Sequence, residues 1–216
     1  MAGCGSSRWV RCTSTAPTAA SSLATIPPDL ARGGGLNDVA VTADGVYVSD
    51  SDVSLVWYLP LDASADTPLQ PIDIGAVNAK AGKDSFNGIE ALPDGTLVVG
   101  QYTGTLLFQF DPGVPSATVI DLGDVRFAGT DGMSLDGDVL WTTNTYGNAV
   151  GQIVLCPTYD CGTVVAGPRD PLLSFPTDVQ VAGNVVLVVN AQLPGLIGLG
   201  EPTLPFTVSA VPVAAP

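Results

Sequence analysis

Residues 130–141 read Thr130-Asp131-Gly132-Met133-Ser134-Leu135-Asp136-Gly137-Asp138-Val139-Leu140-Trp141. Apolar and polar residues alternate up to an Asp-Gly pair, and a second apolar run follows. Alternation with a period of two marks a half-buried strand. Asp-Gly between two such runs is a strong hairpin signal, because a type I′ turn needs positive φ at both central residues. The stretch therefore predicts two antiparallel strands, and Gly151-Gln152-Ile153-Val154-Leu155 supplies a third.

The pattern occurs three more times. Leu36-Asn37-Asp38-Val39-Ala40-Val41 leads to Asp44-Gly45 and apolar runs at 46–50 and 55–59. Phe86-Asn87-Gly88-Ile89-Glu90-Ala91 leads to Asp94-Gly95 and runs at 97–99 and 106–110. Pro176-Thr177-Asp178-Val179-Gln180-Val181 leads to Gly183-Asn184 and a run at 185–189. Irregular stretches at 68–74 and 117–121 fit a fourth, outer strand. Counted from Asn37, Asn87, Asp131 and Thr177, the units lie 50, 44 and 46 residues apart. A period of about 40–50 residues with about four strands per repeat is the signature of a β-propeller. Leucine-rich repeats are shorter and armadillo-type repeats are helical, so neither fits. The predicted fold is all-β: a propeller of four-stranded antiparallel blades, about four of them, over residues 34–200. Residues 1–33, rich in Ser, Thr, Ala and Pro, read as an unstructured or linker-like N-terminus, and 201–216 as a Pro-rich C-terminal extension or a closing strand with a frayed end.

Composition narrows the chemistry. The formal charge is −14, from 21 acidic and 7 basic residues, and all but Glu90 and Glu201 of the acids are aspartate. Such a chain repels phosphate, which excludes nucleic acid as a partner. The acidity serves either solubility or a hard cation held through oxygen. Histidine is absent, which removes Ser-His-Asp and Cys-His catalysis and His-ligated zinc. No apolar stretch is long enough to span a membrane, and residues 1–28 lack the apolar region of a signal peptide. Cys156 and Cys161 flank Pro-Thr-Tyr-Asp in an expected hairpin loop. They form a local disulfide, pointing to an oxidising, extracytoplasmic compartment, or stay as two free thiols; a zinc knuckle would need two more ligands. Trp57 and Trp141 lie in apolar strands and read as core.

In a propeller the first strand of each blade lines the central channel. Radial repetition then gathers Asn37, Asn87, Asp131 and Thr177 around one channel mouth. Each carries a side-chain oxygen that can face a divalent cation such as Ca²⁺ or Mg²⁺. The same residue types also favour strand starts, where they bond the local backbone.

The motifs Leu36-Asn37-Asp38, Phe86-Asn87-Gly88-Ile89 and Thr130-Asp131-Gly132-Met133, each followed by an Asp-Gly turn, resemble the senescence marker protein, gluconolactonase and regucalcin-like family. Pro176-Thr177 resembles that family's final blade. The resemblance implies a six-bladed propeller, represented here by blades three to six, with one divalent metal (Ca, Mn or Zn) in the channel. It implies two asparagines, one aspartate and one glutamate as ligands, of which Asn37, Asn87 and Asp131 match three, with Thr177 at the mouth. It also implies hydrolysis of a small-molecule lactone, with Asp131 as both ligand and catalytic base. The glutamate belongs to a blade this chain lacks: Glu90 lies three residues beyond Asn87, and Glu201 lies in the C-terminal stretch. The expectation is a truncated metal-dependent lactonase-like hydrolase, active or inactive. The alternative is a non-enzymatic NHL-like propeller that serves as a binding platform. Four blades of a six-blade ring leave two uncovered faces, so tighter closure or self-association through the terminal blades is expected.

Overall fold

A computed structural model of the chain describes residues 35–52, 55–64, 66–74, 86–125, 129–165, 170–196 and 198–213. The expectation for residues 1–33 lies outside the described residues. Four antiparallel sheets follow one another along the chain. The first holds β1 (Leu36–Val41), β2 (Gly45–Asp50), β3 (Leu55–Pro60) and β4 (Gln70–Ile72). The second holds β5 (Phe86–Ala91), β6 (Leu97–Gln101), β7 (Leu107–Phe110) and β8 (Ala117–Val119). The third holds β9 (Thr130–Asp136), β10 (Val139–Asn144), β11 (Ala149–Leu155) and β12 (Gly162–Val165). The fourth holds β13 (Pro176–Ala182), β14 (Val185–Asn190) and β15 (Thr207–Pro212), with a single helical turn, α1 (Leu193–Leu196), between the last two. The molecule is a four-blade β-propeller.

Of the two readings of 201–216, the described residues form the closing strand, the third of blade four: β15 pairs with β14 from Val185↔Pro212 to Asn190↔Thr207. Pro202 and Pro205 precede the strand and Pro212 ends it, leaving Val208 to Val211 free to alternate, with Ser209 and Val211 buried. The Asp-Gly turns need correction: they are not of type I′. Gly95 and Gly137 hold positive φ (89° and 62°), but the aspartates before them do not. In these two turns the glycine alone takes the left-handed residue, and in the Asp44-Gly45 turn neither does.

Apolar side chains meet between blades in three successive cores. Tyr47, Val56, Phe86 and Phe108 fill the first, Val98, Met133, Leu140 and Ile153 the second, and Trp141, Val179, Val186 and Val188 the third. Trp57 is buried too, its Nε1 donating to Asp50 Oδ2 at 3.0 Å. The innermost strands run β1, β5, β9, β13, each packed on the next. Among the described residues β13 and β1 lack that strand-on-strand packing. Accordingly blade one exposes Val39 (53%) and Val41 (60%) on its outer face, and blade four exposes Val208 (62%) and Val189 (40%). Burying one such side chain is worth about 1.5–3 kcal/mol, so both outer faces are ready for a covering surface.

Each first strand carries the same irregularity. Its pairing with the second strand slips between Leu36 and Val39, between Phe86 and Ile89, and between Pro176 and Asp178; in blade three the slip lies opposite Thr142–Asn144. A bulge re-aims the side chains it contains. It falls on Asn37, Asn87 and Thr177 and, in blade three, beside Asp131.

Candidate functional site

The innermost strand of a blade has no neighbour on its channel side, so its inward N–H groups need other acceptors. Side chains of the same strands supply them. Asp38 accepts from Val39 N through Oδ1 (2.8 Å) and from Ile89 N, on the next blade, through Oδ2 (2.9 Å). Glu90 repeats the device one blade on, accepting from Ala91 N (2.9 Å) and Leu135 N (3.2 Å). Ser134 Oγ accepts from Val181 N at 3.1 Å. Asp38 and Glu90 are therefore staples that join blade one to two and blade two to three.

The predicted positions lie among these staples. Asn37, Asp131 and Thr177 line one cavity of about 350 Å³, together with Asp38, Gly132 and Asp178. Asn87 is not among the lining residues. It is 5% exposed, and its Oδ1 has no hydrogen-bond partner. Its backbone is held from blade one, where Ser49 Oγ donates to its carbonyl and Ser51 Oγ donates to Phe86 O at 2.6 Å. Two glycines allow the blades to close up here. A Cβ on Gly88 would collide with the Asp131 carbonyl, and one on Gly132 with the Asp178 carboxylate and Cα.

Burial pushes the Asp131 carboxyl from its ordinary 3.8 up to about 7, and the negative charges of Asp178 and Asp38 push the same way. Thr145 opposes this: its Oγ1 lies 3.4 Å from Asp131 Oδ2 while donating to Pro176 O at 2.7 Å. A hydroxyl carries one hydrogen, so Thr145 opposes the rise only when it turns from the Pro176 carbonyl to Asp131; the Gly132 N–H opposes it as well. Burial also raises Asp38, Glu90 and Asp178, with backbone N–H bonds holding each down in part. Beside Asp131 stand Tyr102 and Tyr146, ring centroids 5.2 Å apart, and burial with the neighbouring Tyr146 raises the Tyr102 phenol. The arrangement can hold a hard cation through oxygen, and near neutral pH it can take up and release a proton at one carboxylate.

Sequence reasoning did not single out Asp38, Asp178 or Thr145 as site residues. One signal was available. The position after each candidate is acidic in blades one and four and glycine in blades two and three.

A larger cavity of about 530 Å³ lies at the other end of the blades, lined by Asp44, Tyr47, Tyr58, Asp94 and Asp111. Asp94 and Asp111 are exposed there, and it offers no unpaired buried group. Cys156 and Cys161 are joined in a disulfide across the β11–β12 hairpin, so their sulfurs are not metal ligands.

Compared as a sequence, the chain matches no protein-family model and no curated protein. As a fold it is similar to the computationally designed Ika4 protein (11% identity, TM-score 0.55, 91% of this chain and 100% of that one). It is also similar to a luciferin-regenerating enzyme (11% identity, TM-score 0.55, 72% of this chain and 55% of that one). The major Malassezia sympodialis allergen Mala s 1 is a third (16% identity, TM-score 0.53, 77% of this chain and 54% of that one). The chain spans little more than half the length of the last two. At these identities the likeness shows the propeller fold alone.

Proposed function

We propose that the protein is a divalent-cation-dependent hydrolase of small lactones, acting at the channel mouth through Asn37, Asn87 and Asp131. The observation that carries this reading is the Asn87 amide oxygen, buried without a partner at the bulge position that in the other blades lines the cavity or adjoins it. Leaving such an acceptor unsatisfied costs about 1–3 kcal/mol, which a ligand at the axis would offset. The donor set is all oxygen, two amides and a carboxylate, and it fits a hard cation. Once bound, such a cation polarises an ester carbonyl.

The chain's own residues supply the rest. With no histidine in the sequence, proton transfer falls to a carboxylate. Asp131 titrates near neutrality in the absence of a cation, close to the range a general base needs. Thr145 orients it. The lactone class follows from the motif resemblance to the gluconolactonase-like family.

The test is calorimetric titration with Ca²⁺, Mn²⁺ and Zn²⁺ of the wild type and of Asp131→Ala, followed by pH-stat assays on simple lactones. Stoichiometric binding that the variant loses, with cation-dependent turnover, supports the reading. Absence of binding by the wild type overturns it. A second reading, a binding platform without catalysis, draws on Asp38 and Glu90. Their bonds give part of the channel's acidity a purely structural use.

A further inference from the structure

The ligand set above lacks one carboxylate: the resemblance assigns the fourth position to a glutamate, and neither Glu90 nor Glu201 matches it. Three acids on the channel strands can be compared for that place. Asp38 and Glu90 each spend both oxygens on backbone N–H groups of two successive blades. Asp178 spends only one, Oδ1 accepting from Val179 N at 2.8 Å. Its other oxygen has no hydrogen-bond partner among the described residues, and the side chain lines the same cavity as Asn37 and Asp131.

Gly132 fixes where that carboxylate sits. It directly follows Asp131, and a Cβ there would strike both the Asp178 carboxylate and its Cα. Blade four thus brings its acid against the backbone of the neighbouring ligand through a gap only glycine leaves open. The unpaired Asn87 oxygen is an independent sign that this end of the channel is built around something not made of protein.

We infer that Asp178 is the fourth ligand of the channel cation, its free oxygen completing the oxygen set begun by Asn37, Asn87 and Asp131. This rests on the cation-site reading above. It takes the fourth ligand from β13, in blade four. Asp38, in contrast, stays a staple.

The experiment uses the whole chain with Ca²⁺ and with Eu³⁺ as probes. Calorimetry should show Ca²⁺ affinity falling at least about tenfold in Asp178→Asn, since affinity at such sites follows ligand charge. Asp38→Asn removes the same charge from the same cavity lining and should lose clearly less affinity than Asp178→Asn. Asp178→Asn keeps an oxygen for Val179 N, and its thermal unfolding checks that it is folded. Eu³⁺ luminescence lifetimes in H₂O and D₂O count coordinated waters, and Asp178→Ala should add about one. A lost ligand produces that change; a weakened local field does not. Wild-type affinity and an unchanged water count in both Asp178 variants overturn the inference while leaving the cation site standing. An equal loss in Asp38→Asn also overturns it. No binding by the wild type overturns the inference and the proposed function together.

Discussion

Two kinds of carboxylate face the channel. Asp38 and Glu90 have both oxygens engaged, each binding one N–H of its own blade and one of the next. Asp131 and Asp178 carry the same charge a few residues along equivalent strands. Yet Asp131 has a backbone bond from Gly132 and the long contact to Thr145, and Asp178 has a single backbone bond. Reach to a neighbouring blade decides the difference: Asp38 and Asp178 hold the same position on their strands, but only Asp38 meets an N–H of a following blade. An acid that can reach across a joint becomes structure, and one turned to the axis remains available for a ligand. A count of acids along the sequence cannot separate the two.

The contrast breaks or sharpens under four measurements, the largest effect first. Asp131 titrates at about 7 when folded, against an ordinary 3.8, so between these values the folded state binds the proton more tightly. That stability is complete below about pH 4 and is lost as pH rises through about 7, by up to about 4 kcal/mol. Urea midpoints of cation-free protein across this range should fall, and Asp131→Asn should flatten most of the slope. An unchanged slope in the variant would remove Asp131 from the unpaired class. Glu90→Ala strands two N–H groups at the joint of blades two and three and should cost about 3 kcal/mol, read by the same urea melts. Asp38→Asn turns one of its two acceptors into a donor facing an N–H, and about 1–2 kcal/mol should be lost. Asp178→Asn should lie within about 0.5 kcal/mol of wild type without a cation. A loss as large as Glu90→Ala would make Asp178 a staple as well.

The fold was readable because each blade repeats its own pattern locally. Alternation up to an Asp-Gly or Gly-Asn pair located β1, β5, β9 and β13 and their partner strands. β15 stayed ambiguous between an extension and a closing strand because a proline-rich excursion separates it from β14, so no local signal ties Thr207–Pro212 to blade four. At the site, repeat spacing alone drew attention to Asn37, Asn87, Asp131 and Thr177, and three of these line one cavity. Asp178 was hidden one residue further on. Its distinction from Asp38 depends on which N–H group lies within reach, and only the relative placement of two blades determines that. The turn type was misread for a similar reason. Asp-Gly permits two positive-φ residues, and the flanking strands here needed at most one.

The bulge repeated in every first strand makes the channel mouth a set of interchangeable sockets. The backbone that presents asparagine at 37 and 87 presents aspartate at 131 and threonine at 177, so no main-chain rearrangement accompanies a change of side chain. Evolution can retune such a mouth one blade at a time, swapping amide for acid or hydroxyl, while the interblade cores carry the fold unchanged. Selection on chemistry and selection on stability thus act on different residues of the same strand, and a chain of this kind can drift far in sequence while keeping its shape.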